Sequence, residues 1–187
     1  AKAQDIPTEP ITRPEGFEGE LRSYQAEALA WLRFLHAVEL GGCLALDMGL
    51  GKTPTMLAHL ARTAGEGQAL VIAPPAVVGN WAAEARRFVP GLRVVVHHGA
   101  SRADGEFLAG RVSSADVVIT TYGTAVRDIE AIEAIQWNRL VLDEAQAGWM
   151  TPTPKPTLYL HGATDGCVGA SLAADASAHL PSPGSRA

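Results

Sequence analysis

A chain of 187 residues, 47% hydrophobic and 19% charged, is long enough to bury the core of one ordinary domain. It has no run of roughly 18 apolar residues and no charged lead into an apolar stretch, so the expectation is a soluble, intracellular protein with no membrane partner. A net charge of −5 excludes attachment to nucleic acid by bulk electrostatics, and Cys43 and Cys167 have no spacing that suggests a disulfide framework or zinc site.

Residues 1–20 contain three prolines and no periodicity, which predicts an extended lead-in. Leu21, Tyr24, Ala28, Leu32 and Leu35 then recur at helical spacing, and Gly41-Gly42 ends the segment; a helix is expected over about 22–39. Short apolar runs alternate with helical stretches from there: a strand at 43–46, a helix to about 62, a strand at 69–73 and a Pro74-Pro75 break. A helix at 78–88, strands at 92–96 and 117–120, a helical stretch near 122–135 and a strand at 140–142 follow. Strands that are apolar throughout and separated by helices predict an α/β fold, with a mostly parallel sheet covered on both faces. Composition changes after Gln146: of the 40 residues from 148 to 187, 18 are Pro, Gly, Ser or Thr and 4 are charged. No helix or strand period is evident there, so 148–187 reads as an irregular, disordered tail behind a lobe spanning 21–147.

The segment Leu46-Asp-Met-Gly-Leu-Gly-Lys-Thr53 lies between a predicted strand and a predicted helix, the context of a phosphate-binding loop. Gly49 and Gly51 would turn backbone N–H groups toward phosphate, helped by the helix N-terminus. Lys52 would reach the β- and γ-phosphates of ATP, and the Thr53 hydroxyl would meet Mg²⁺. Leu46 stands where the general pattern has its first glycine. About 90 residues downstream, Asn138-Arg-Leu-Val-Leu-Asp-Glu144 is a short buried strand ending in two carboxylates. In a parallel sheet its end would lie near the loop, with Asp143 holding Mg²⁺ and Glu144 orienting or deprotonating the attacking water. The alternative is an acidic pair that caps the next helix.

Four blocks, Leu21-Arg-Ser-Tyr-Gln25, Asp47-Met-Gly-Leu-Gly-Lys-Thr53, Val71-Ile-Ala-Pro-Pro75 with Asn80-Trp81, and Asp143-Glu-Ala-Gln146, resemble the Swi/Snf-related DNA translocases of helicase superfamily two. Val117-Val-Ile-Thr-Thr-Tyr122 is similar to a block that family members place against the DNA backbone. The resemblance implies a RecA-like P-loop NTPase lobe, the first of two, in a nucleoid- or chromatin-associated, DNA-dependent ATPase. It implies nucleotide contacts from Gln25, Asp47, Met48, Gly49, Leu50, Gly51, Lys52 and Thr53, with Gln25 reading the adenine edge and Gln146 sensing the γ-phosphate. Asn80, Thr120 and Thr121 would face the DNA backbone without reading sequence.

Family members continue with Ile-Lys-Asn and Thr-Gly-Thr-Pro blocks and a second lobe that supplies an arginine to the phosphoryl group. None of these is matched after Ala147. The expectation is therefore a fold incomplete at its C-terminus, with an exposed sheet edge and a tail that arises from a truncated or frame-shifted gene. Such a chain would bind Mg·ATP but turn over slowly. A nucleotide-dependent binding module or inactive remnant stays open as the alternative, and an unrelated P-loop kinase is the weaker third reading. Trp31 and Trp81 read as core residues, Cys43 as a small buried one, His97-His98 as no metal site, and Arg86-Arg87 as a solvated helix face.

Overall fold

The computed structural model describes residues 9–47, 49–99, 105–144 and 157–161. Its helices are α1 (Ser23–Ala37), α2 (Lys52–Arg62), α3 (Pro75–Phe88), α4 (Gly105–Ser113), α5 (Tyr122–Arg127) and α6 (Ile129–Glu133). Its strands are β1 (Gly42–Ala45), β2 (Ala69–Ala73), β3 (Val94–His97), β4 (Val117–Thr121), β5 (Arg139–Asp143) and β6 (Thr157–His161). Every strand pairing is parallel, and the sheet runs β1-β6-β5-β2-β4-β3.

Strand alternation divides the apolar residues between two cores. Val71, Val117, Ile119 and Val141 face one side, where they meet Leu32 and Leu35 of α1, Met56, Leu57 and Leu60 of α2, and Trp81 and Ala85 of α3. Leu70 and Val118 face the other, against Leu108 and Val112 of α4, Ala125 of α5 and Ile132 of α6. The expected α/β lobe with helices on both faces is thus formed.

Several elements differ from the sequence expectation. Helix α3 begins at Pro75 rather than near 78, because proline at the first helical position loses no intrahelical hydrogen bond. Helix α4 had no expected counterpart. The helix expected over 122–135 is broken at Asp128, whose backbone leaves helical geometry (φ −106°, ψ 24°) while its carboxylate pairs with His97 Nε2 at 2.8 Å. Residues 9–20 form no helix or strand, but they are anchored: Phe17 stacks on Phe88 with centroids 5.3 Å apart, and Glu18 N–H donates to Phe88 O at 2.6 Å.

The largest correction concerns residues expected to lie in an irregular tail. Thr157–His161 is a strand, and it lies between β5 and β1 in the sheet. Its register pairs Leu140 with Thr157 on one side and Gly42 with Leu158 on the other. Thr-Leu-Tyr-Leu-His is a β-prone pentapeptide, and a five-residue strand is too short to stand out inside a Pro-, Gly- and Thr-rich stretch. The rest of 148–187 lies outside the described residues, as does its proposed frame-shifted origin.

Candidate nucleotide site

In a parallel sheet all strand C-termini meet at one edge, and there the fold gathers the phosphate loop and the acidic pair. Strand β1 ends at Ala45, and Gly49 and Gly51 take left-handed backbone conformations, φ 82° and 75°, before α2 starts at Lys52. Gly51 has a second constraint besides its φ: a Cβ there would lie 2.3 Å from Gln25 Nε2. Lys52 Nζ donates to the carbonyls of Leu46 at 2.7 Å and Asp47 at 3.4 Å, so its ammonium lies over the loop. Thr53 sits half-buried in the first turn of α2, while Asp47, Gly49 and Leu50 are exposed. Met48 lies outside the described residues.

Gln25 is buried at 8% exposure, which excludes a surface glutamine. Its Nε2 donates to Leu50 O at 3.1 Å and Gly51 O at 3.4 Å, and its Oε1 accepts from Arg22 N–H at 2.9 Å. The Nε2 end of the amide therefore ties α1 to the phosphate loop, while the Oε1 end closes the first turn of α1.

Asp143 closes β5 at 7% exposure. Its Oδ2 accepts from Trp81 Nε1 at 2.7 Å, and its carbonyl accepts from Tyr122 OH at 2.8 Å. Burial pushes the Asp143 carboxyl above the usual range; the Trp81 hydrogen bond opposes the shift, the Glu144 charge adds to it and the Lys52 charge reduces it. Strand β6 lies between β1, which leads into the loop, and β5, so the loop and Asp143 share the C-terminal edge of the sheet with one strand between them. Glu144 is exposed and holds a left-handed conformation, φ 52°, uncommon for a residue with a side chain. Gln146 lies outside the described residues.

The three residues expected to face DNA are placed differently from one another. Asn80 is exposed on α3 and donates to Glu84 Oε1 at 3.0 Å. Thr120 and Thr121 are buried, at 0% and 2% exposure. Thr120 Oγ1 donates to His97 O at 2.8 Å, and Thr121 Oγ1 caps α5 by accepting Thr124 N–H at 3.2 Å. Their hydroxyls thus serve the fold at the ends of β3 and β4. Trp81 lies in the core, as expected, but its bond to Asp143 was not foreseen; neither was that of Tyr122. The only sequence signal was generic, since a buried indole N–H needs an acceptor somewhere.

The geometry suits a nucleotide phosphate: a left-handed glycine turn at a helix N-terminus, a lysine over it, and a buried carboxylate whose raised proton affinity a cation would reverse. Comparison with known proteins agrees. A model of the SNF2-related domain matches residues 24–148. The chain is 40% identical over 148 residues to YwqA of Bacillus subtilis, covering 77% of this chain and 16% of that protein. It is 36% identical over 162 residues to the chromatin-remodeling ATPase INO80 of Drosophila melanogaster, covering 77% and 10% respectively. The Sulfolobus solfataricus SWI2/SNF2 ATPase core in complex with dsDNA superposes with a TM-score of 0.69 at 31% identity, over 80% of this chain and 33% of that one. The chain therefore spans a minor part of each relative's length, and it belongs to the SNF2-related domain family.

Proposed function

We propose that this lobe binds Mg·ATP between the phosphate loop, residues 46–53, and the strand end at Asp143-Glu144, and supplies the hydrolytic carboxylates of a DNA-dependent ATPase that translocates on duplex DNA. The observation that carries the reading is the convergence of Lys52, the left-handed Gly49 and Gly51, and buried Asp143 at one sheet edge. Lys52 exchanges its two loop carbonyls for phosphate oxygens, gaining a stronger charge-assisted contact. Thr53 and Asp143 hold Mg²⁺, whose charge neutralises the phosphate oxygens when bound. Glu144, at an exposed turn beside Asp143, orients the attacking water and accepts its proton. Gln146 senses the γ-phosphate.

The dsDNA complex of the Sulfolobus relative supports a DNA partner, contacted through its backbone without sequence readout. Asn80 is the exposed candidate on α3. An arginine finger from a second lobe contributes roughly 10³- to 10⁵-fold in rate in related NTPases. The 187-residue chain assayed alone therefore binds nucleotide and turns over slowly, with cleft closure against a second lobe needed for DNA-stimulated hydrolysis. Among the described residues no helix is long and apolar enough to cross a membrane, and the family's work on DNA supports an intracellular site of action.

Calorimetry of Mg·ATP with the natural chain and with Lys52→Ala tests the reading. Saturable binding that disappears in the variant is expected. Absence of binding by the folded natural chain refutes nucleotide binding and leaves an inert remnant.

A further inference from the structure

Trp81 is wholly buried in α3 among apolar neighbours, a position whose packing alone any large apolar side chain could fill. What the indole adds is a directed donor. Its Nε1–H reaches Asp143 Oδ2 at 2.7 Å across 62 residues of sequence, within the range of charge-assisted bonds. The Asp143 carbonyl is held from another direction by Tyr122 OH. Two aromatic donors, from the helices that follow β2 and β4, thus fix the side chain and the main chain of one residue at the end of β5.

We infer that Trp81 is a positioning residue for the cation site: by holding Oδ2 it sets the rotamer of Asp143 and presents Oδ1 to the metal. The inference rests on the proposed role of Asp143 in holding Mg²⁺. It assigns to the Asn80-Trp81 pair a division of labour within one helix, in which Asn80 lies on the exposed face and Trp81 reaches inward to the carboxylate. A carboxylate at a strand end can rotate about two side-chain torsions, and a site that must favour one orientation benefits from an anchor on the oxygen that does not ligate.

The test has two readouts. In the nucleotide-free chain, the Trp81 indole N–H resonance, identified by its loss in Trp81→Phe, is expected well downfield, moving upfield in Asp143→Asn as a charged acceptor becomes neutral. With ADP, Trp81→Phe is expected to raise the Mg²⁺ concentration for half-saturation about tenfold, as loss of one charge-assisted bond implies. ADP affinity in EDTA should stay within about twofold, since only the cation-dependent part of binding is touched. Equal weakening with and without Mg²⁺, or an unchanged Mg²⁺ requirement, overturns the positioning role while leaving the nucleotide reading intact. Absence of Mg²⁺-dependent binding in the natural chain overturns both. If Trp81→Phe does not fold, assignment by elimination through Trp31, Trp137 and Trp149 variants keeps the resonance test decisive, and an indole signal insensitive to Asp143→Asn overturns the role.

Discussion

The two ends of the sheet both bury charge, and they do so in opposite ways. At the C-terminal end, Asp143 accepts from an indole donor and shares the sheet edge with Lys52 and the turn formed by Gly49 and Gly51. At the N-terminal end, Arg139 opens β5 at 6% exposure and is enclosed by side chains from the ends of two helices. Its guanidinium bonds Thr63 Oγ1 and, at 2.7 Å, His36 Nδ1, while His36 Nε2 lies 3.1 Å from Glu66 Oε2. Burial lowers the Arg139 pKa and the Glu66 charge partly restores it. Beside it His59, at 1% exposure, has no hydrogen-bond partner for either ring nitrogen among the described residues. A buried charge marks a ligand site when it stands next to a loop able to turn amides and a lysine toward an incoming anion. The same burial between helix ends locks the layers together. Substitutions at the two ends should therefore separate, with stability lost at one and ligand affinity at the other.

The largest expected effect is at the locking end. Arg139→Ala strands His36 and Glu66 and empties a buried guanidinium site, so it should cost about 3 kcal/mol in chemical denaturation. Nucleotide affinity of the folded fraction should stay within about twofold. Lys52→Ala reverses the pattern: Mg·ATP affinity falls about 100-fold, the weight of a charge-assisted contact to phosphate, and the denaturation midpoint moves little. If Arg139→Ala weakened binding as much as Lys52→Ala, the two ends would be coupled and the separation would be wrong.

Gln25→Ala sharpens the functional half. Because the amide holds Leu50 O and Gly51 O on one side and Arg22 N–H on the other, its loss should loosen the phosphate loop for any nucleotide. ATP and GTP are expected to weaken alike, by about fivefold to tenfold, consistent with loss of about 1 kcal/mol of hydrogen bonding. A selective loss of ATP would instead assign Gln25 to the adenine edge.

What the sequence disclosed follows from the range of the interactions concerned. The phosphate loop is legible because Gly49, Gly51, Lys52 and Thr53 act within a few residues of one another, and the strand ending in Asp143 because its apolar run and acidic pair are contiguous. Helix α4 was missed because Gly105 and Gly110 lower its intrinsic propensity; burial of Leu108 and Val112, one turn apart, is what supports it. Strand β6 is stabilised by neighbours more than 100 residues away in β1, which no local window contains. The partners of Asp143 were illegible for the same reason: Trp81 announces a need for an acceptor, not which acceptor. Thr120 and Thr121 look like surface hydroxyls at a strand end, and only the packed layers show them buried and bonded within the fold.

The effect most specific to the locking end is a pH dependence from His59. Burial, foremost, and the nearby Arg139, His36 and Arg62 charges hold its pKa well below the ordinary imidazole value. The unfolded chain then binds a proton at a pH where the folded chain does not. Stability is accordingly full above the unfolded pKa of about 6.5 and declines as pH falls through the interval between that value and the folded one. The limiting slope for one proton is about 1.4 kcal/mol per pH unit. Replacing the ring by His59→Leu removes the titration together with two nitrogens that lack partners, so stability at pH 7.5 should hold or rise, and the decline between pH 6.5 and 5 should flatten. Denaturation midpoints at those three pH values, compared between the two chains, measure it. An unchanged slope would assign the acid sensitivity to another group and leave His59 a spectator in the cluster.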